Sequence, residues 1–232
     1  MDIHAVVAKV RKYATLESGD TLEMIERPGG GMSWVLVDGQ RSGRAAKSIA
    51  NMVARKAVGL LAEGVRDGAA ARAASDYLFA ERSGQVTATL NIISVDMASS
   101  TLVVTRNNPE PAYLIAGSTI EALDQPSHAV GTRRTTRPVI HQIPLAEGLA
   151  VVVFTDGLPH AGERHGEGYN VQAALAEFLR DGAPCAEWAD RLLAEAVARE
   201  DGRPADDISV LVVSVGPRQG DEVRRLWVHL PL

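Results

Sequence analysis

The sequence predicts an α+β protein of antiparallel sheets, with its helices grouped in pairs on the outside of a sandwich. Two observations carry this. Hydrophobic period along the chain gives strands, two helices, many strands, two helices and strands again, which is not the strand–helix alternation of a parallel doubly wound sheet. No Pro-, Gly- or Ser-rich linker and no internal repeat divides the 232 residues, so one domain spanning residues 1–232 is expected.

The elements follow in order. Residues 3–13 mix apolar and basic side chains and read as a first strand. Thr21–Arg27 and Ser33–Val37 read as the next two. PGGG, Pro28–Gly31, joins them as a turn whose glycines permit positive φ, so the pair is a hairpin. The period then changes. Ala46, Ile49, Val53, Ala57, Leu60 and Leu61 fall at helical spacing, with Ser42 placed to cap the start and Gly64 to end it. Asp67–Glu81 is a second, alanine-rich helix. Thr87–Asp96, Thr101–Arg106, Ala112–Ala116 and Thr119–Ala122 form a meander, and Pro138–Ile143 and Leu149–Thr155 add two strands. Helices follow at Gln172–Arg180 and Ala186–Glu200. Ile208–Val215 is a strand, and Glu222–His229 is expected as a last, edge strand.

Composition narrows the function. A 46% hydrophobic and 23% charged chain is ordinary globular material, so a disordered or fibrous protein is excluded. The formal net charge of −5 argues against a general nucleic-acid partner, which needs a basic face, and so against a nuclease. The one cysteine, Cys185, has no internal disulfide partner and precedes a helical run, so it reads as a packed thiol. The N-terminus lacks a signal-peptide core, and no window of about 18 apolar residues is present. A cytoplasmic protein with no membrane contact is therefore expected.

The chemistry lies in the acids. Asp20 precedes the second strand, Asp38 follows the third, Asp156 follows VVVFT, and Asp206 and Asp207 precede ISVLVVSV. Asp-Gly after a strand is ordinary turn chemistry when met once. Met repeatedly at strand ends, it delivers carboxylates whose positions are fixed by the apolar run beside them. Convergent carboxylates make a site for hard divalent cations, which prefer oxygen ligands. Two such ions can activate a water and clamp a phosphoryl group. Asp206 and Asp207 are adjacent and point to opposite sides in extended backbone, so only one faces such a site.

The ordered set Gly19-Asp20, VLVDGxxSGxxA (35–46), VFTDGL (153–158) and ADDISVLVV (205–213) resembles the bacterial PP2C-like serine/threonine phosphatases. Within them it is similar to the subgroup of SpoIIE, RsbU and RsbX. Each motif is weak alone; all four in order, with two helices after the second, are specific, and they span nearly the whole chain. The resemblance implies a PP2C-like antiparallel β-sandwich flanked by helix pairs, in α-β-β-α layers. It implies two Mn²⁺ or Mg²⁺ ions. Asp38 would bridge them, the Gly39 carbonyl and Asp20 would serve one ion, and Asp156 and Asp206 the other. Asp38 and Asp156 would be catalytic as well, and Asp207 would fix the loop or a bound water. The implied reaction is hydrolysis of phosphoserine or phosphothreonine by a metal-activated water, without a phosphoenzyme. The implied partner is a phosphorylated STAS-domain or other anti-sigma-pathway protein, or a stressosome component. With about 18 residues ahead of Gly19-Asp20, a stand-alone phosphatase is expected.

Departures from the family bear on mechanism. Eukaryotic members carry a His soon after the Asp38-Gly39 pair as a proposed general acid; here Gln40 follows. Their phosphate-binding Arg precedes the first acid, where this chain has Leu16, Glu17 and Ser18. Arg41 and Arg44 read as solvated helix-start residues, with phosphate contact as the alternative. TDGL is followed by Pro159-His160 rather than an early Glu, which offers His160 and His165 as proton carriers. RNNPEP (106–111) stands where many relatives have Gly-His-Pro. The vacant acid keeps a second reading open, a phosphoprotein-binding module of the same fold with little turnover. The helix pair at 42–82 is the expected regulatory surface.

Overall fold

The computed structural model describes residues 1–231. These fold into ten strands, four α-helices and a short 3₁₀ turn. β1 (Asp2–Val10), β2 (Thr21–Glu26) and β3 (Met32–Gly39) lead into α1 (Gly43–Ala62) and α2 (Asp67–Arg82). β4 (Ala88–Asp96), β5 (Thr101–Asn107), β6 (Ala112–Ala116), β7 (Thr119–Leu123), β8 (Val139–Pro144) and β9 (Leu149–Phe154) follow. Then come α3 (Val171–Arg180), α4 (Cys185–Arg199) and β10 (Ile208–Gly216).

The strands form two five-stranded sheets, β1-β10-β9-β6-β7 and β2-β3-β4-β5-β8. Every pairing between them is antiparallel. The α+β layering read from the sequence is present, and it rests on strands that are apolar on both faces. In β3, Val35 and Val37 face α1 and α2, while Trp34 and Leu36 face the other sheet. In β9, Val152 and Phe154 face α3 and α4, while Val151 and Val153 point between the sheets. β10 divides the same way, with Val210 and Val212 outward and Leu211 and Val213 inward. Period-2 alternation that is apolar at every step thus serves three cores stacked in four layers.

Helix α1 packs with small residues. Ala46, Ala50, Ala54 and Ala57 are all fully buried, so its backbone lies close to β3. α4 instead anchors with size. Trp188 is buried beside Phe178, and its indole N–H donates to the Ala183 carbonyl at 2.9 Å.

Three expectations are corrected. β3 extends through Asp38 and Gly39, which pair with Thr89 and Ala88, so Asp38 lies within a strand rather than after it. Ser42 holds the N-cap position but makes no side-chain capping bond. Residues 222–229 form no strand. Leu226, Trp227, Val228 and Leu230 stay exposed, and an apolar run that pairs with no sheet edge does not make a strand. The segment is instead tied within itself by Arg225 to Asp221 at 2.7 Å and to the β2 hairpin by Arg224 to Glu26 at 3.1 Å.

Replacing Trp188 removes a fully buried ring and orphans the Ala183 carbonyl. Trp188→Ala is expected to cost about 3–5 kcal/mol of unfolding free energy, read from denaturant titration as a lowered midpoint.

Candidate metal and active site

Strand register brings the acids together. In the β2–β3 hairpin Thr21 lies opposite Val37, which carries Asp20 to the level of Asp38 at the end of that sheet. In the other sheet Phe154 lies opposite Val210, and the Thr155 N–H donates to the Ser209 carbonyl at 3.0 Å. Asp156 and Asp206 therefore emerge side by side from the matching end of the second sheet.

A bridge between the sheets fixes the pair of ends. Asp20 is fully buried, and its Oδ2 accepts from Thr155 Oγ1 at 3.0 Å and from Ser209 Oγ at 2.6 Å. Its Oδ1 is buried with no partner among the described residues. Its backbone carbonyl accepts from two ammonium groups, Lys47 Nζ of α1 at 2.6 Å and Lys9 Nζ of β1. Asp207 holds the same loop from the other side. Its Oδ2 accepts from the Gly19 N–H and its Oδ1 from the Lys12 N–H, both at 2.8 Å.

Three glycines permit these approaches, none through positive φ. A Cβ on Gly39 would lie 2.1 Å from the Ala46 carbonyl oxygen, and one on Gly157 2.2 Å from the Asp207 carbonyl oxygen. A Cβ on Gly19 would lie 2.6 Å from the Ala46 Cβ. The glycine after each strand-end aspartate is thus needed because neighbouring chain passes where a side chain would stand.

The electrostatics record the crowding. Burial, and then the charges of Asp20, Asp156 and Asp206, push the Asp38 carboxyl up to about 9. Burial raises Asp20 to about 6, against the opposing pull of Ser209, Lys9 and Thr155. Asp156, partly buried, is raised by burial and by Asp206, while nearby His160 acts in the other direction. Asp206 is exposed, and its Oδ1 accepts from the Asp207 N–H at 2.9 Å. Four carboxylates in mutual repulsion, one with an orphaned buried oxygen, are an all-oxygen donor set suited to hard divalent cations. Among the described residues, no three Asp, Glu, His or Cys side chains are gathered closely enough to hold an ion as they stand. The acids are neighbours rather than a closed cage.

The remaining candidates fall at the margins. Arg41 is exposed at φ 88°, and Arg44 is exposed and lies 3.6 Å from Glu17. His165 faces Asp201 at 3.6 Å, away from the acids. Gln40 is consumed structurally: its N–H donates to the Thr87 carbonyl and its Oε1 accepts from the Thr87 N–H, both at 3.0 Å. RNNPEP is a brace. The Arg106 guanidinium donates to the carbonyls of Asn108, Glu110 and Gln125, and Asn108 Nδ2 donates to the Phe154 carbonyl at 3.2 Å, just before Asp156. Lys9, Lys47, Thr155 and Ser209 escaped the sequence reading. One signal for Ser209 was present, a hydroxyl inside an otherwise apolar run.

Known proteins place this fold. The family model described as stage II sporulation protein E (SpoIIE) matches residues 28–216. No curated protein matches the sequence. Among solved structures, the chain resembles the PP2C phosphatase domain, with a fragment of the regulatory domain, of SpoIIE from Bacillus subtilis. The TM-score is 0.79 at 19% identity, over 94% of this chain and 64% of that one, so the chain spans less than two thirds of it. RsbX in complex with magnesium gives a TM-score of 0.70 at 15% identity, over 91% of this chain and 94% of that one. The catalytic domain of the serine/threonine phosphatase PstP, in complex with two manganese ions, gives 0.67 at 18% identity, over 93% and 99%. These likenesses show the two-sheet, four-layer fold.

The raised acids dictate a pH response in metal-free protein. A carboxyl held above its unfolded value stabilises the fold fully below the unfolded value, and that stability is lost as pH rises through the folded value. For Asp38 the window runs from about 4 to about 9. The melting temperature of metal-free protein is expected to fall across that range. Added Mn²⁺ should raise it most at the alkaline end, and Asp38→Asn should flatten the metal-free profile, all read by differential scanning fluorimetry.

Proposed function

Because the chain belongs to the SpoIIE family, whose fold is that of the PP2C-like serine/threonine phosphatases, we propose that residues 1–232 act as one metal-dependent protein phosphatase domain. Its substrate is phosphoserine or phosphothreonine on a STAS-type anti-sigma antagonist or stressosome protein. The observation that carries this reading is the convergence of Asp20, Asp38, Asp156 and Asp206 from the ends of two sheets, which leaves Asp38 under the pressure of three other acids.

Asp38 would contribute a carboxylate to both of two ions, Asp20 and the Gly39 carbonyl to one, and Asp156 and Asp206 to the other. RsbX with magnesium and PstP with two manganese ions support that choice of metals. Bound there, Mn²⁺ or Mg²⁺ supplies Lewis-acid charge and makes a water acidic enough to attack phosphorus at neutral pH.

The chain's own residues do the rest. Thr155 and Ser209 hold the Asp20 carboxylate in one rotamer, with Oδ1 left for a ligand. Asp207 fixes the Gly19-Asp20 backbone, so the position of that oxygen does not depend on a floppy loop. Lys9 and Lys47 set positive charge behind Asp20, which offsets part of the repulsion before cations bind. Gln40 carries no acidic proton and is bound to Thr87, so it does not protonate the leaving serine or threonine oxygen. That neutral amide is also what favours the alternative reading, a phosphoprotein-binding module with little turnover.

Hydrolysis of p-nitrophenyl phosphate separates the two. The protein is expected to turn it over with Mn²⁺ and to lose on the order of 100-fold of that rate in Asp38→Asn. Unchanged activity in that variant sinks the site assignment, and tight phosphopeptide binding without turnover selects the binding module. Asp207→Asn is expected to fold and to need more Mn²⁺ for half-maximal rate, by about 10-fold, because the Gly19-Asp20 loop loses its clamp.

A further inference from the structure

Helix α1 carries a charge pattern that packing does not explain. Its twenty residues include Arg44, Lys47, Arg55 and Lys56 and no acid, in a chain whose formal net charge is −5. Arg44 sits in the first turn, where the helix dipole opposes a cation. Arg55 and Lys56 stand near its middle, both exposed, and neither joins an ion pair among the described residues.

These residues line a groove of about 730 Å³ with Asn51 and Tyr77. Lys47 marks the end nearest the acids, since its Nζ reaches the Asp20 carbonyl. Asn51, one turn on, is anchored by Thr21 Oγ1 at 2.7 Å. Arg55 follows one turn later. Lys56 lies over the Tyr77 ring at 5.6 Å, and this holds its ammonium at the groove wall. From Lys47 to Arg55 is eight residues, about 12 Å along a helix, which matches roughly four residues of extended peptide. Arg44 is partly neutralised by Glu17 at 3.6 Å and Lys47 is engaged at the Asp20 carbonyl, so the open charge lies at Arg55 and Lys56.

We infer that this groove docks the acidic segment flanking the phosphorylated residue of the substrate protein. The inference rests on the phosphatase reading above and adds a specificity determinant to it. The phosphoryl group enters at the acids beside Lys47, and Asp or Glu side chains a few residues away meet Arg55 and Lys56. The lining also suits this occupant: cations and the polar Ser48 and Asn51 predominate, with Met52 and Tyr77 as its apolar members and Glu17 at the Arg44 end. A track of three cations leading out from a centre of four carboxylates keeps acidic flanking residues off the repulsive centre and holds them on the helix, so the gain appears in binding more than in chemistry.

The experiment compares three phosphoserine peptides with acidic, neutral or basic flanks, alike in all else. They are assayed with Mn²⁺ on the full chain and on Arg55→Glu/Lys56→Glu. The native chain is expected to favour the acidic over the neutral peptide by about 10-fold in kcat/KM, carried by KM. In the double variant this ratio should fall to about one or invert, with kcat on the acidic peptide kept. Added salt should erode the native preference and bring both forms toward equal kcat/KM on the three peptides. Equal kcat/KM on all three peptides by the native chain overturns the inference, as does a preference that survives in the variant. If no peptide is turned over, the phosphatase reading fails, and fluorescence anisotropy of the same labelled peptides still reads the groove. Equal binding of a single-stranded oligonucleotide of matched charge would overturn the assignment to a peptide.

Discussion

The carboxylate of Asp20 holds the two halves of the site in one place. It belongs to the hairpin sheet by chain, yet its hydrogen bonds go to Thr155 and Ser209 of the other sheet. Charge-assisted bonds of this kind contribute about 1.5–3 kcal/mol each, while burying a carboxylate costs several kcal/mol. The bridge therefore barely repays its own burial. What it secures is relative position: the sheets meet through an apolar core, and apolar contact fixes distance better than it fixes the register of strand ends, which Asp20 sets together with Lys9 and Asp207.

Position at the strand ends then depends on backbone packing. Ala46 of α1 faces both Gly19 and Gly39, and Asp207 closes on Gly157. One helix residue thus sets how near the Asp20 and Asp38 loops come to each other, and the loop before β10 does the same for Asp156. This is why Asp38 and Asp156 are each followed by glycine. The turn reading explains how each strand ends, and the close approach explains why no larger residue fits.

Much of this was legible in the sequence, and the part that was not has a physical reason. Both-face apolar strands such as VVVF and ISVLVV announced buried strands, and their ends announced the acids. The helix pairs followed from period alone. What stayed hidden was tertiary partnership. Lys9 looks like any basic residue of an edge strand until β1 pairs with β10 and brings it to Asp20. The apolar residues of Glu222–His229 suggested a last edge strand because sequence holds no record of whether a segment will pair with an edge. Gln40 read as a missing acid, whereas its amide ties the end of β3 to Thr87 at the start of β4.

The acids and the cations of α1 belong to one electrostatic design. Asp38 is pushed far up by burial and then by three like charges near it, and relief of both is what makes a divalent cation welcome. The same negative centre would repel a phosphorylated, acidic protein at long range. A helix free of acids beside it, with Lys47 reaching the site and Arg55 and Lys56 open to solvent, supplies the opposing field where such a protein must approach. α1 also carries Ala46, which spaces the Asp20 and Asp38 loops, so one element bears both the site's spacing and the inferred docking face, with its buried face set by alanines and its exposed face by cations.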